Sequence, residues 1–215
     1  MKEQNFKKLL RGTFTAAFAA IICVGCLISI PTPGGVPIAV QNMFCMLAGG
    51  ILGGIQGAGS VGLFIILGGI GLPVFAGAHG GFAILTGPTG GYIWGYFLGA
   101  LVEGLILGTP HKFEKKFNIW MWVKIALACL LGYVIVYLPG IPWFMHVMKE
   151  KGSSVSLMQA LQWTFIPFIP GDLLKFLVSV PLIAVLRPVA ARFLYADDKK
   201  EEQELIESLK ANSDK

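Results

Sequence analysis

Residues 73–97 read PVFAGAHGGFAILTGPTGGYIWGYF. The stretch is rich in glycine and holds no Lys, Arg, Asp or Glu. Apolar runs long enough to enter a membrane flank it. Glycine lets a backbone turn sharply or approach a ligand closely. In hydrocarbon, irregular backbone survives only where protein buries it or a hydrated cavity meets it. A loop of this kind at the end of membrane helices points to a small-molecule pocket. The plain alternative is an ordinary extramembrane loop.

Composition agrees with a membrane setting. The 215 residues are 55% hydrophobic, and only 13% are charged, against roughly 25% in soluble domains. The mean hydropathy is +0.71. Each span needs roughly 20 residues, so the length suits one domain of six spans. They fall at about 12–30, 38–54, 57–72, 89–108, 120–138 and 171–194. PTPGG at 31–35 ends the first, and Pro139-Gly140 ends the fifth. A long connection over 139–170 carries Trp143, Trp163, Pro142, Pro167 and Pro170, and its Trp residues suit an interface. Residues 1–195 thus read as a six-helix membrane bundle and 196–215 as a charged tail. The basic N-terminus before an apolar run resembles a signal peptide. That run continues to Pro31 without an A-x-A site, so it reads as a retained first helix.

Charge orients the set. With the N-terminus in the cytoplasm, four basic residues lie at that end, Lys112, Lys115, Lys116 and Lys124 around the fourth loop, and six after the last span. Only Lys149 and Lys151 fall outside, an asymmetry of 14 to 2. The positive-inside rule then predicts two cytoplasmic termini and places the 73–88 loop and the 139–170 connection together on the outer face. The net charge of +5 does not point to nucleic acid, because the basic residues sit at the ends of apolar runs.

Two charges remain within spans. Lys175 lies three residues after Asp172 in PFIPGDLLKFLVSVPLIAVL, which puts both on one helical face. A snorkelling Lys paired with a helix-starting Asp would explain them structurally. A charged recognition pair facing the pocket is the functional reading, because Pro170-Gly171 starts the helix beside the glycine loop. Glu103, near the cytoplasmic end of the fourth span, reads as structural or partner-facing.

Small residues form ridges. Gly91, Gly95 and Gly99 recur every four residues, as do Gly49, Gly53 and Gly57. Such ridges let helices pack closely without an apolar driving force. Ala16 and Ala20 form an A-x-x-x-A pair that fits either internal packing or docking of another membrane protein.

Several motifs are decoys. GAGSVG at 57–62 fits G-x-G-x-x-G but sits in a membrane helix with no preceding strand. The chain has no P-loop, no H-E-x-x-H and no G-x-S-x-G. Cys23 and Cys26 form a C-x-x-C, but without a second ligand pair they read as small packing residues.

GGVPIAVQNMFCMLAGGILGG (34–54), GLPVFAGAHGGFAILTGPTGGYIWGY (71–96) and PFIPGDLLK (167–175) resemble the BioY family. That family comprises the biotin-specific S components of energy-coupling factor (ECF) vitamin transporters. The resemblance runs to about residue 194. It implies a six-helix all-α bundle in a prokaryotic cell membrane, with an outward-facing vitamin pocket. It also implies biotin as ligand, no cofactor, and partners consisting of a transmembrane T component and two ATPase subunits. Ala16 and Ala20 match the family's signature for docking the T component. Some members carry an Arg in the glycine loop where this chain has His79.

Biotin offers two ureido N–H donors, one C=O acceptor, a carboxylate and an apolar body. Asp172 can accept a ureido N–H, and Lys175 can meet the ureido oxygen or the carboxylate. Gln41 supplies an amide, while Asn42 beside it points to another face, so at most one of the two is expected to line the pocket. Gly77, Gly80 and Gly81 would let the backbone close over the ligand beside His79. Tyr92 and Tyr96 share a face and offer apolar walls, leaving Trp94 toward lipid. The principal reading is a biotin-binding subunit that does no chemistry. The alternatives are an S component for another vitamin, and a membrane enzyme using Asp172 and Lys175 as an acid–base pair.

The charge asymmetry predicts a labelling pattern. A single Cys replacing His79 in a cysteine-free background should react from outside with an impermeant maleimide. One replacing Phe113 should not. The reverse pattern would invert the orientation.

Overall fold

A computed structural model describes residues 2–30, 36, 38–110 and 119–194. Lys112, Lys115, Lys116, the 31–35 turn and the charged tail lie outside the described residues. The chain forms eight α-helices and one two-stranded ribbon among those residues. The order is α1 (Lys2–Val24), β1 (Ser29–Ile30), β2 (Ile38–Ala39), α2 (Gln41–Leu52), α3 (Gly54–Gly69) and α4 (Phe82–Thr86), then α5 (Gly90–Leu107), α6 (Ile119–Glu150), α7 (Leu157–Thr164) and α8 (Ile169–Leu194). β1 and β2 are antiparallel, with Ser29 opposite Ala39.

Four stretches are long and apolar enough to cross a membrane: Lys8–Leu27, Gly90–Leu107, Ile119–Glu150 and Leu157–Leu194. α2 and α3 are apolar but shorter, at 12 and 16 residues. At 1.5 Å per residue they reach only about 18 and 24 Å, against a hydrocarbon core of about 30 Å. Irregular backbone takes over where they stop, which is affordable at membrane depth only beside protein or a cavity.

α5 is central and packs on α2, α3 and α6. Its glycines explain how. A Cβ on Gly95 would sit 2.5 Å from Val136 O of α6, and one on Gly104 would sit 2.5 Å from Gly54 Cα of α3. Gly49 meets the Ala100 backbone in the same manner. α2 and α3 fold back on each other through Gly53 (φ 89°), so that Gly57 lies against Gly49. The ridges read from the sequence therefore serve packing inside the bundle.

Three expectations change. α6 does not end at Pro139-Gly140 but continues to Glu150, with Pro139 and Pro142 inside it. Proline removes an N–H yet keeps a helical φ, and without water to solvate a broken end the helix persists. The 139–170 connection is consequently mostly helical, made of the end of α6, α7 and a 3-10 turn at Ile166–Phe168. Arg187, counted with the basic residues after the last span, lies inside α8 and is fully buried. Glu103 is also fully buried and so faces no partner. Its carboxyl oxygens occupy space left by Gly50 and Gly132, where a Cβ would lie 3.0 and 3.1 Å from them.

Arg187 accounts for the end of the bundle opposite α5's first turn. Its Nη1 donates to Gly50 O (2.6 Å), and its Nη2 donates to Leu107 O (2.9 Å) and Gly108 O (2.8 Å). Carbonyls at helix C-termini have no partner within the helix and carry the negative end of the dipole. One guanidinium thus caps α2 and α5 and ties both to α8. At the same end, Arg11 donates to Leu194 O at 3.2 Å, so the first and last helices meet there.

Arg187→Met should leave two buried carbonyls and one half-buried carbonyl unpaired and lower stability by about 3 kcal/mol. Arg187→Lys should recover only part of this, because an ammonium lacks the fork. Thermal unfolding in detergent is the measurement. A wild-type midpoint in the Met variant would refute the clamp.

Candidate functional site

A cavity of about 600 Å³ opens at the other end of the bundle. Its wall includes Gln41, Phe75, Gly77, His79, Tyr92 and Tyr96. A recess of about 20 Å³ adjoins it, lined by Asn42, Tyr137, Thr164 and Lys175, with Tyr92 and Tyr96 common to both spaces.

The glycine loop is fastened into place. Phe75 and His79 exchange backbone hydrogen bonds of 2.8 and 3.2 Å across a tight turn. Gly77 and Ala78 at its tip have φ of 76° and 58°, a conformation that suits glycine and strains alanine. Gly77 N–H donates to Cys26 O at 3.2 Å, which ties the turn to the 3-10 turn (Gly25–Leu27) that follows α1. The Gln41 amide nitrogen donates to Ile22 O (3.1 Å) and Val74 O (2.6 Å). Both partners can only accept, which fixes the orientation of the amide. His79 Nδ1 donates to Ala76 O at 3.0 Å. In that tautomer the neutral ring offers only Nε2, as an acceptor, so holding an anion requires the imidazolium.

Asp172 sits in the first turn of α8, where its charge suits the helix dipole. Lys175, 7% exposed, lies 3.0 Å from Asp172 Oδ1. Two residues from other helices complete the cluster. Asn42 donates to Asp172 Oδ1 (3.1 Å) and accepts from Lys175 (2.9 Å). The Tyr137 hydroxyl donates to Asp172 Oδ2. Every member has partners, which is what makes a charge pair tolerable at this depth. One turn deeper, Tyr133 and Ser179 pair at 3.2 Å.

The residues singled out from the sequence divide as follows. Gln41, Gly77, His79, Tyr92 and Tyr96 line the cavity, and Lys175 lines the recess beside Asp172. Gly80 and Gly81 lie outside both walls. Gly80 packs on the Leu72 carbonyl, and Gly81 (φ 100°) donates its N–H to Gly68 O at 2.7 Å. Trp94 is 42% exposed on another face of α5. Gln41 lines the cavity and Asn42 the adjoining recess, so the two neighbours face different spaces from the first turn of α2. Tyr137 went unmarked. Its signal is the Tyr133–Tyr137 spacing of four, which puts two hydroxyls on one face of an apolar helix. Ala16 and Ala20 are exposed on α1, and Gly12, one turn before, has open space beside it.

This fold and site define a class: helical membrane proteins that enclose a small molecule at one end of the bundle. A family model described as the BioY family matches residues 1–192. The chain belongs to the BioY family. It is 39% identical over 191 residues to a biotin transporter BioY of Rhodobacter capsulatus, covering 83% of this chain and 95% of that protein. It is 35% identical to a biotin transporter BioY of Lactococcus lactis, covering 90% and 97%. The crystal structure of the S component for biotin from an ECF-type ABC transporter superposes with a TM-score of 0.70. The two share 32% identity over 85% of this chain and 93% of that one.

Proposed function

We propose that this chain is the biotin-binding S component of an ECF-type transporter in a prokaryotic cell membrane. The observation that carries the reading is the pairing of an apolar cavity with a buried cluster of Asp172, Lys175 and Asn42 at its base. Its volume of about 600 Å³ falls within the range that suits a vitamin-sized ligand. The bicyclic body would lie against Phe75, Tyr92 and Tyr96. One ureido N–H would go to Asp172 Oδ2, which keeps a lone pair beside Tyr137, and Lys175 would meet the oxygen. Transport rather than chemistry suits the cluster, because Asp172 already accepts from Tyr137, Asn42 and Lys175. A carboxylate so engaged is badly placed to take a proton from a substrate.

The reading includes six crossings with both termini in the cytoplasm and the cavity facing outward. The charge asymmetry, 13 to 2 once the buried Arg187 is set aside, and the meeting of α1 and α8 through Arg11 support it. Energy would come from a T component and two ATPase subunits. Ala16 and Ala20 point away from the bundle, so a partner helix could approach there closely.

Asp172→Asn or Lys175→Met should weaken biotin binding by about 1.5–3 kcal/mol, the range for a hydrogen bond to a charged group. Titration calorimetry with wild-type affinity in both variants would end the assignment. Mass spectrometry of the ligand that co-purifies identifies the vitamin directly.

Ala16→Trp with Ala20→Trp should leave biotin affinity of the isolated protein nearly unchanged and abolish co-purification with a T component. Normal assembly of the double variant would remove these residues from the interface.

A further inference from the structure

The sequence reads Trp143 as an interface residue, and the structure gives it another use. α6 runs about three turns beyond Pro139, and this extension stands beside the first turn of α5. Gly140 lies against the Tyr92 ring, and Gly91 lies against Trp143 Cβ and the Pro139 carbonyl. Trp143 is half-buried there, and its indole Nε1 donates to Gly87 O at 3.0 Å. Gly87 O also accepts from Gly90 N–H at 3.0 Å, so both of its lone pairs are engaged.

The strip that Trp143 holds, residues 81–90, forms one side of the cavity through Ile84, Pro88 and Thr89. It carries α4, which at five residues is too short to be stable by itself. The start of the strip is tied to α3, where Gly81 N–H donates to Gly68 O at 2.7 Å and Leu85 packs beside Gly69. The Thr86 hydroxyl bonds within the strip, to Phe82 O at 3.2 Å. Among the described residues, the Trp143 indole is the side chain of another element that hydrogen-bonds the far end. Trp143 itself lies outside the cavity wall. We propose that Trp143 is a positioning residue for ligand retention. Its bond to Gly87 O holds the wall of Ile84, Pro88 and Thr89 against the ligand, and without that bond the wall opens more often and the ligand leaves sooner. The inference rests on the biotin reading above. A wall already held in its bound shape loses less freedom when the ligand arrives, and differences of this kind appear mainly in the dissociation rate.

Trp143→Phe removes the N–H and keeps an aromatic ring. Gly87 O retains the Gly90 N–H, so the turn stays formed and only its tie to α6 is lost. Wild type and variant are purified in detergent. Without ligand, hydrogen–deuterium exchange read by mass spectrometry should be faster over residues 82–90 in the variant, with α2 and α8 unchanged. Dissociation of labelled biotin, chased with unlabelled biotin, should be about fivefold faster in the variant, the size of one neutral hydrogen bond. Association should change by less than about twofold. In wild type, biotin should slow exchange over residues 82–90, a measurement that needs no variant. Exchange raised evenly over the whole chain in the variant, dissociation at the wild-type rate, or no protection of 82–90 by biotin overturns the inference and leaves the biotin reading intact. A wild type that binds no biotin overturns both.

Discussion

Close backbone approach around α5 is the constraint on which the remaining structure depends. In a bilayer, lipid tails are as apolar as leucine, so helices gain little by hiding apolar side chains from their surroundings. What holds them is contact, and contact at α5 is made with side chains removed. Gly91 lies against Trp143, Gly95 against Val136, Gly99 against Gly132 and Gly104 against Gly54. The first three set α6 against the full length of α5, and the last sets α3. Because these contacts leave no slack, the relative heights of the helices are fixed. Those heights bring Tyr92, Tyr137 and Asp172 into one cluster.

Buried polarity is gathered at the two ends of this frame and serves opposite purposes. At one end Arg187 spends its guanidinium on the C-termini of α2 and α5, with Glu103 buried nearby. Those groups answer the backbone. At the other end Asp172 and Lys175 answer side chains from α2 and α6, and Lys175 borders the recess. Both centres contain charges on α8, and the second meets the cavity and recess described above. Burial of a charge within a span thus does not by itself mark a ligand site.

Much of this was legible in the sequence where the signal is local. Apolar runs located the helices, four-residue spacing exposed the glycine ridge, and the three-residue spacing of Asp172 and Lys175 gave their common face. What was lost is non-local. Asn42 lies 130 residues from Asp172 and Tyr137 lies 35 residues away, and no spacing rule links helices that distant. Arg187 was hidden by its company, since it precedes Arg192 and a charged tail and reads as part of them. The length of α6 was misread because Pro139-Gly140 is a stop signal where water can solvate the broken end. Gly80 and Gly81 look like Gly77 in sequence, but only Gly77 reaches the cavity wall.

The amide of Gln41 has a consequence for polarity. Both of its N–H bonds are consumed by the Ile22 and Val74 carbonyls, one on α1 and the other in the glycine loop. Its oxygen is the one polar valence left, so from α2 this side chain can answer a donor and never an acceptor. The recess beneath offers the opposite sign at Lys175. A ligand read by both offers a donor to Gln41 and an acceptor to Lys175, while the Asp172 carboxylate beside Lys175 can take a second donor. A single amide, held by two carbonyls, thus gives this part of the wall one fixed polarity.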